Sequence, residues 1–411
     1  MNKKKLVVIG GGAAGFFCAV NAARMNPVLD VIIIEKTGKL LSKVRVSGGG
    51  RCNVTHSCFS IAEMIKKYPR GSSFLKKAFH HFFTTDTIAW FEERGVQLKT
   101  ELDGRMFPVT DSSQTIIDCL LKEAGKYGVE IMMNREVKEL IKLTGEWEII
   151  FTDDKKIKAD FICIASGGYP KPASFDWLKK LGHTIESPVP SLFTFNMPGN
   201  KITELMGVVA ENVIVKIAGS KLSSHGPLLI THWGMSGPAI LKLSAWGARE
   251  FSLANWHFTI VVNWLPDYNE QTLKDKLQLV RFDIAAQKIA NRNPFALPQR
   301  LWQYLLQETG IQVDLRWADL TAKDQNKLIK NLCNQEFLVK GKTTFKEEFV
   351  TAGGILLNEI NQHSLESKIA DNLYFAGEVI DVDGITGGFN FQNAWTTGWI
   401  AAKAISQKLS A

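Results

Sequence analysis

No two cysteines stand at a C-x-x-C spacing; the six are scattered at 18, 52, 58, 119, 163 and 333. That sets aside a zinc site, and no metal is expected. Nothing resembles a disulfide framework, so the cytoplasm is the default compartment. Cys18 and Cys163 fall in apolar segments and read as core fillers. No apolar stretch reaches membrane-span length without a glycine or a charge interrupting it, so no membrane partner is expected. No internal repeat or low-complexity tract is present, which sets aside repeat architectures. With 45% apolar and 22% charged residues the chain fits a globular enzyme, and 411 residues suit two or three domains.

What is present concentrates first between Lys5 and Glu35. Leu6-Val7-Val8-Ile9 is a short apolar run, and Gly10-Gly11-Gly12-Ala13-Ala14-Gly15 fits G-x-G-x-x-G. A helical pattern runs from Ala13 to about Met25, and Val31 to Ile34 is a second apolar run ending at Glu35. Strand, glycine turn, helix, strand and terminal acid in this order form the dinucleotide fingerprint. Gly10 permits the turn, Gly12 lets backbone approach a pyrophosphate, and Gly15 lets helix and strand pack closely. The helix N-terminus directs unpaired N–H groups at phosphates. Glu35 lies twenty residues past Gly15, where a carboxylate can bind ribose hydroxyls. Lys3-Lys4-Lys5 before an apolar stretch imitates a secretory signal. Such a signal has no use for these glycine spacings or for a strand ending in an acid.

Two further glycine clusters extend the pattern. Ser47-Gly48-Gly49-Gly50-Arg51-Cys52-Asn53 offers backbone N–H groups beside a fixed positive charge. A surface loop would explain it in isolation. A nicotinamide dinucleotide has no need of it, whereas FAD is longer and needs a cradle at its far end. Near the other terminus, Leu373 to Ala376 leads into Gly377-Glu378. The loop Asp381–Asn390 follows, with Gly387-Gly388 inside it, and then a helix from about Phe391 to Gln407. That helix N-terminus can face a flavin or a pyrophosphate. Both chain ends therefore build one non-covalent FAD site.

Between them, Phe59 to Gly95 reads as mainly helical, Gln114 to Tyr127 as a capped helix, and Val129 to Met133 as the next parallel strand. Glu136-Val137 falls where this architecture contacts adenine through backbone. Trp147 to Lys158 suggests a hairpin, and Phe161 to Ala165 is a buried strand running into Ser166-Gly167-Gly168. Beyond Pro188 and Pro190 the pattern turns to β, with a helical block from about Asn269 to Gln335 inside it. The net charge is +8, and Glu270 to Lys346 holds thirteen Lys/Arg against eight Asp/Glu. A solvated helical surface explains this excess; a polyanionic partner is the sharper reading.

Ser47–Asn53, Gly104–Val109, Thr231–Pro238 and Leu373–Gly398 together resemble the BaiN/RdsA family of FAD-dependent oxidoreductases. The resemblance runs nearly end to end. It implies an α/β fold: a two-part Rossmann-like FAD-binding domain with an inserted small β-barrel domain that itself carries a helical insert. The implied boundaries are 1–190 and 350–411 for the FAD domain, 191–268 and 336–349 for the barrel, and 269–335 for the insert. It further implies that Gly10, Gly12, Ala14, Gly15, Glu35, Lys36, Lys43, Gly49, Gly50, Arg51, Val137, Ser166, Gly167, Gly377, Glu378, Asp383, Gly388, Phe389 and Asn390 line the FAD. The chain departs from the family after Gly168, where Tyr169-Pro170-Lys171-Pro172-Ala173-Ser174 replaces a longer Thr/Gly-rich loop.

The family covers reduction of activated C=C bonds, in steroid-like enones and in a uracil of ribosomal RNA, and some members are described as amino-ketone oxidases. The expected partners are therefore a small-molecule substrate or ribosomal RNA, with NAD(P)H as a transient electron donor, since no second nucleotide fingerprint is present. A flavin-binding protein without turnover is the rival from another class. Reduction of a polarised C=C bond needs a general acid opposite the hydride and a donor on the developing enolate. Cys52 and His232 are the candidate acids, and Arg51 is the candidate donor. The bland alternatives are a small packing residue for Cys52 and a loop-fixing hydrogen bond for His232. His80 and His81 read as surface or packing residues.

Overall fold

The computed structural model describes residues 3–344 and 350–410. The chain divides into two compact units, Met1–Ser191 with Phe345–Ala411, and Leu192–Thr344. Residues 345–349, which end the expected barrel return, lie outside the described residues.

The first unit is built on a five-stranded parallel sheet. Its strands are β1 (Lys5–Ile9), β2 (Asp30–Ile34), β3 (Glu130–Met132), β4 (Phe161–Ile164) and β5 (Leu373–Phe375), in the order β5-β4-β1-β2-β3. β1 and β4 are buried almost throughout, as their unbroken apolar runs require of a sheet covered on both faces. Three long helices belong to this unit: α1 (Ala13–Met25), α2 (Ser113–Lys126) and α3 (Phe389–Ser410). α1 packs closely along α3, because Gly398 brings that helix onto the α1 backbone; a Cβ there would lie 2.7 Å from the Ala14 oxygen. β1 lies at the centre, with β2 on one side and β4 on the other. That reversal of strand order is where open α/β sheets bind ligands, at the carboxyl ends of the strands.

Smaller sheets complete the unit. Val137–Lys142, Trp147–Phe151 and Lys156–Ala159 form an antiparallel meander. Ile185–Ser191 and Val350–Ile355 pair antiparallel at the two places where the chain leaves and re-enters the unit. The expected helical run from Phe59 to Gly95 is broken. Helices at Ser72–Ala78 and Thr84–Glu92 follow a non-helical stretch at Tyr68–Gly71, where Pro69 and Gly71 end the preceding turn.

The second unit is an antiparallel sheet that closes on itself. Residues 335–340 pair with His257–Asn263, and Lys342–Thr343 pairs with Thr194–Asn196, so one stretch of chain joins the two ends of the sheet. The helices Glu270–Asp283, Gln299–Thr309 and Ala322–Cys333 lie between the paired strands 257–263 and 335–340. Strands and helices share one apolar core, including Phe195, Val215, Trp264, Leu277, Trp302 and Leu328.

Candidate functional site: a glycine-lined cofactor cradle

The G-x-G-x-x-G turn shows two kinds of glycine. At Gly10 (φ 119°) a Cβ would lie 2.3 Å from the Ala165 oxygen, and at Gly15 a Cβ would lie 1.9 Å from the Gly10 oxygen. These two are demanded by packing of the chain on itself. A Cβ at Gly12 would meet nothing within 4 Å, so that side is open to a ligand. Gly12 caps α1 in extended conformation, and the helix has neither a side-chain cap nor an acid in its first turn. Its leading N–H groups and positive dipole end are left for an anion. Glu35 stands beside them, accepting the Gly11 N–H at 2.9 Å through one oxygen and the Thr37 N–H at 2.9 Å through the other.

The second cluster explains its three glycines. The helical turn that begins at Ser42 is abandoned at Ser47, and Gly48, Gly49 and Gly50 follow with φ of 59°, 69° and 86°. Gly48 packs on Phe107, whereas Gly49 and Gly50 face open space. From the C-terminal side, a Cβ at Gly377 would lie 2.7 Å from the Ala14 Cβ, and one at Gly388 would lie 2.5 Å from the Thr55 oxygen. Glu378 links the parts. It pairs with Lys43 at 2.5 Å, accepts the Thr351 N–H at 2.7 Å, and approaches Gly168, where a Cβ would meet it at 2.9 Å. The Thr351 hydroxyl beside it is buried without a partner. Open glycines, an uncapped helix end and an orphaned hydroxyl fit a long, phosphate-bearing cofactor.

The remaining expected residues divide. Ser166 and Gly167 follow β4 beside Gly168, and Lys36 lies 5.5 Å from the Tyr169 ring centre. Val137 opens the meander, next to Glu136, whose carbonyl already accepts the Thr152 N–H. Phe389 is buried, stacked on His56 at 4.8 Å. Asn390 uses both ends of its amide on the N–H and carbonyl of Gly384, at 2.8 and 2.9 Å, so its side chain braces the loop. Asp383 is fully buried and ion-paired with Arg70.

The candidate chemistry changes more. Cys52 is fully buried with φ 62°, and burial pushes its thiol up to about 12. Fully enclosed and held in its neutral form, it has the environment of a packing residue in a strained turn. Arg51 is engaged by Glu101 at 2.6 Å and lies over the Phe107 ring at 4.1 Å, so it braces the strand pair that carries Phe107. His232 lies in the second unit and is exposed, its ring set edge-on to Trp233 at 4.3 Å. Among the basic residues of the insert that a polyanion could meet (Lys274, Lys276, Arg281, Lys288, Arg292 and Arg300), three are engaged within the unit: Lys288 with Asp314, Arg281 with the Ala318 oxygen, and Arg300 with the Glu204 and Met206 oxygens. Lys274 and Arg292 are exposed. No helix among the described residues is long and apolar enough to cross a membrane.

Sequence reasoning missed Tyr68, Arg70, Ser191 and Thr351. Pro69-Arg70-Gly71 carried a turn signal, whereas nothing local marks Ser191 or Thr351.

Comparison with known proteins follows this geometry. The family described as HI0933-like protein Rossmann domain matches residues 4–404. The chain is 30% identical over 416 residues to the ribosomal RNA dihydrouridine synthase of Escherichia coli, with 98% of each chain covered. It is 26% identical over 422 residues to the 3-dehydro-bile acid delta(4,6)-reductase of Clostridium scindens, covering 98% of this chain and 99% of that one. In fold it is similar to the 3-ketosteroid delta1-dehydrogenase of Sterolibacterium denitrificans, with TM-score 0.54 and 11% identity over 99% of this chain and 100% of that one.

Proposed function

The chain belongs to the HI0933-like Rossmann family and is an FAD-dependent oxidoreductase; from that premise we propose that it reduces an activated C=C bond with electrons from NADH or NADPH, its leading substrate a uracil of ribosomal RNA. The observation that carries the substrate is the 30% identity to a ribosomal RNA dihydrouridine synthase along 98% of both chains. A dihydrouridine synthase and a delta(4,6)-reductase have in common the saturation of a C=C bond, which supports the reaction class independently of the substrate.

FAD, when bound, supplies the hydride. Gly12 and the first turn of α1 would hold its pyrophosphate, Glu35 its ribose, and the Gly49–Gly50 backbone with the Lys43–Glu378 pair its far end. Of the two candidate acids, His232 is exposed on its own unit and Cys52 is not, so His232 is the one carried forward for testing. A true acid loses about 10²–10⁴-fold in turnover on removal; His232→Ala is expected to do so with its FAD content unchanged. An RNA base must be exposed or flipped to reach a flavin, and exposed basic residues such as Lys274 and Arg292 would neutralise phosphates in this reading.

The deciding experiment is to delete the gene and map dihydrouridine in ribosomal RNA. A lost dihydrouridine, restored by the wild-type gene, supports the proposal. An unchanged map removes it. The second reading, a small-molecule enone reductase, is favoured by the match to the bile acid reductase and would then be tested with enone substrates. An amino-ketone oxidase would take up oxygen without needing NAD(P)H.

A further inference from the structure

Five consecutive residues, Lys67 to Gly71, run along the loop that leads into α3. The Ile385 N–H donates to the Lys67 oxygen at 2.9 Å, and the Tyr68 hydroxyl donates to the Phe389 oxygen at 2.7 Å. Arg70 and Asp383 form an antiparallel bridge through their backbones. Gly71 has φ 77° and lies against Val382, where a Cβ would come within 2.4 Å of a methyl group. Each contact is local and modest, and together they fix one alignment of the two segments.

The side chains of Arg70 and Asp383 add something a packing contact does not. The guanidinium Nε faces one carboxylate oxygen of Asp383 and Nη2 the other. The Ser191 hydroxyl donates to the second oxygen at 2.9 Å. Asp383 is 0% exposed. Burial pushes its carboxyl up, and Arg70 and Ser191 hold it down against that. A buried ion pair is a poor device for stability alone, since apolar residues of similar volume serve as well. It is a good device for register. Sliding the loop by one residue on the 67–71 segment would leave the Asp383 carboxylate buried and away from the guanidinium. The loop so fixed leads through Gly387 and Gly388, which pack on Phe389 and Thr55, into the first turn of α3, the helix end that the FAD assignment turns toward the cofactor.

We propose that Asp383, held by Arg70 and Ser191, is a positioning residue for the flavin, setting the register of loop 381–388 so that the N-terminus of α3 meets the cofactor. The inference rests on the FAD assignment above. Asp383 acts in this proposal through the loop and not by touching the cofactor: its carboxylate is fully buried and turned onto Arg70 and Ser191.

The test measures FAD affinity on purified protein alongside the thermal midpoint of the apoprotein. Asp383→Asn is expected to raise the FAD Kd at least ~10-fold, because the neutral amide no longer accepts both guanidinium hydrogen bonds of Arg70 that fix the register. The double variant Arg70→Met/Asp383→Leu is expected to recover the apoprotein midpoint, as apolar replacements of buried pairs do, while its FAD Kd stays at least ~10-fold raised. A purely structural role predicts that affinity recovers along with the midpoint. Ser191→Ala removes the hydroxyl that donates to Asp383 and lies 3.5 Å from Arg70 Nη2, and covers the case in which the others fail to fold; its Kd is expected to rise about 3-fold with the midpoint lowered less than in Asp383→Asn. Wild-type affinity in folded Asp383→Asn, in the double variant or in Ser191→Ala overturns the inference alone. Wild-type protein that cannot bind FAD overturns the FAD assignment, and this inference with it.

Discussion

Lys43 Nζ lies 2.5 Å from one oxygen of Glu378, and the other oxygen of that carboxylate accepts the Thr351 N–H at 2.7 Å. The two links are unequal. Lys43 is close to half exposed, so after solvent screening the ion pair contributes at most about 1 kcal/mol. Thr351 is buried, and leaving its N–H without an acceptor costs about 1–3 kcal/mol. Glu378→Gln keeps an oxygen for Thr351 and is expected to lower the apoprotein midpoint only slightly. Glu378→Ala loses both links and is expected to cost more. Thermal denaturation of the two apoproteins checks the order; equal losses would mean that the Thr351 link contributes nothing.

Burial makes a prediction for the cysteines. Cys52 is buried with its thiol raised, whereas Cys58 is partly exposed. In native protein, iodoacetamide is expected to label Cys58 and to leave Cys52 unmodified until the protein unfolds, because alkylation needs an accessible thiolate. Cys52→Ala is expected to keep turnover within about 3-fold, far from the 10²–10⁴-fold loss of a general acid. Mass spectrometry of labelled peptides and steady-state kinetics decide it; rapid native labelling of Cys52 would return it to the site.

The pattern of what was legible follows from range. The β1-α1-β2 unit could be read because its glycine turn, helix and apolar strands are contiguous and each obeys a local rule. Helix α3 was legible for the same reason, although it starts at Phe389 rather than Phe391. Lys43–Glu378 and Arg70–Asp383 join residues 335 and 313 positions apart, and no periodicity reports such a pairing. Asp383 was expected at the cofactor from its place in a motif, and the structure instead turns its carboxylate onto Arg70. The basic insert was read by counting charges, which cannot distinguish exposed Lys274 from Lys288 paired with Asp314.

His183 predicts a pH dependence. It is buried, with Nδ1 3.1 Å from Glu359 and Nε2 3.1 Å from the Ser367 hydroxyl, which also accepts the N–H groups of Ile369 and Ala370. Ser367 therefore gives its proton to Nε2, and the ring is needed neutral. Burial lowers the His183 pKa below its usual 6.5, with Glu359 partly offsetting. A histidine whose folded value is depressed takes up its proton more readily when unfolded. Its neutral form carries no penalty above about pH 6.5; below that, stability falls until the folded pKa is passed. Melting curves of wild type should drop as the pH falls below about 6.5, and His183→Gln, which does not titrate, should flatten that slope. An identical slope in both would show that another group is responsible.

The sharpest test of the cradle compares two glycines three residues apart. At Gly15 an added methyl would lie 1.9 Å from the Gly10 backbone oxygen, which β1 holds in place. Gly15→Ala must therefore separate α1 from β1, at a cost of roughly 3 kcal/mol or more, and the apoprotein should melt well below wild type. At Gly12 the added methyl would meet nothing within 4 Å, and the residue has φ −95°, which alanine adopts freely. Gly12→Ala should fold with an apoprotein midpoint close to wild type, since the change at the helix cap costs only about 0.5–1 kcal/mol. Its methyl would stand where backbone has to approach a pyrophosphate, so FAD affinity should fall on the order of 100-fold, about 2.7 kcal/mol. Flavin absorbance after dialysis, and fluorescence recovery on heating, measure the bound FAD. A stable Gly12→Ala protein that stays yellow would mean that the pyrophosphate does not lie at the N-terminus of α1, and the assignment of the glycine turn would fall with it.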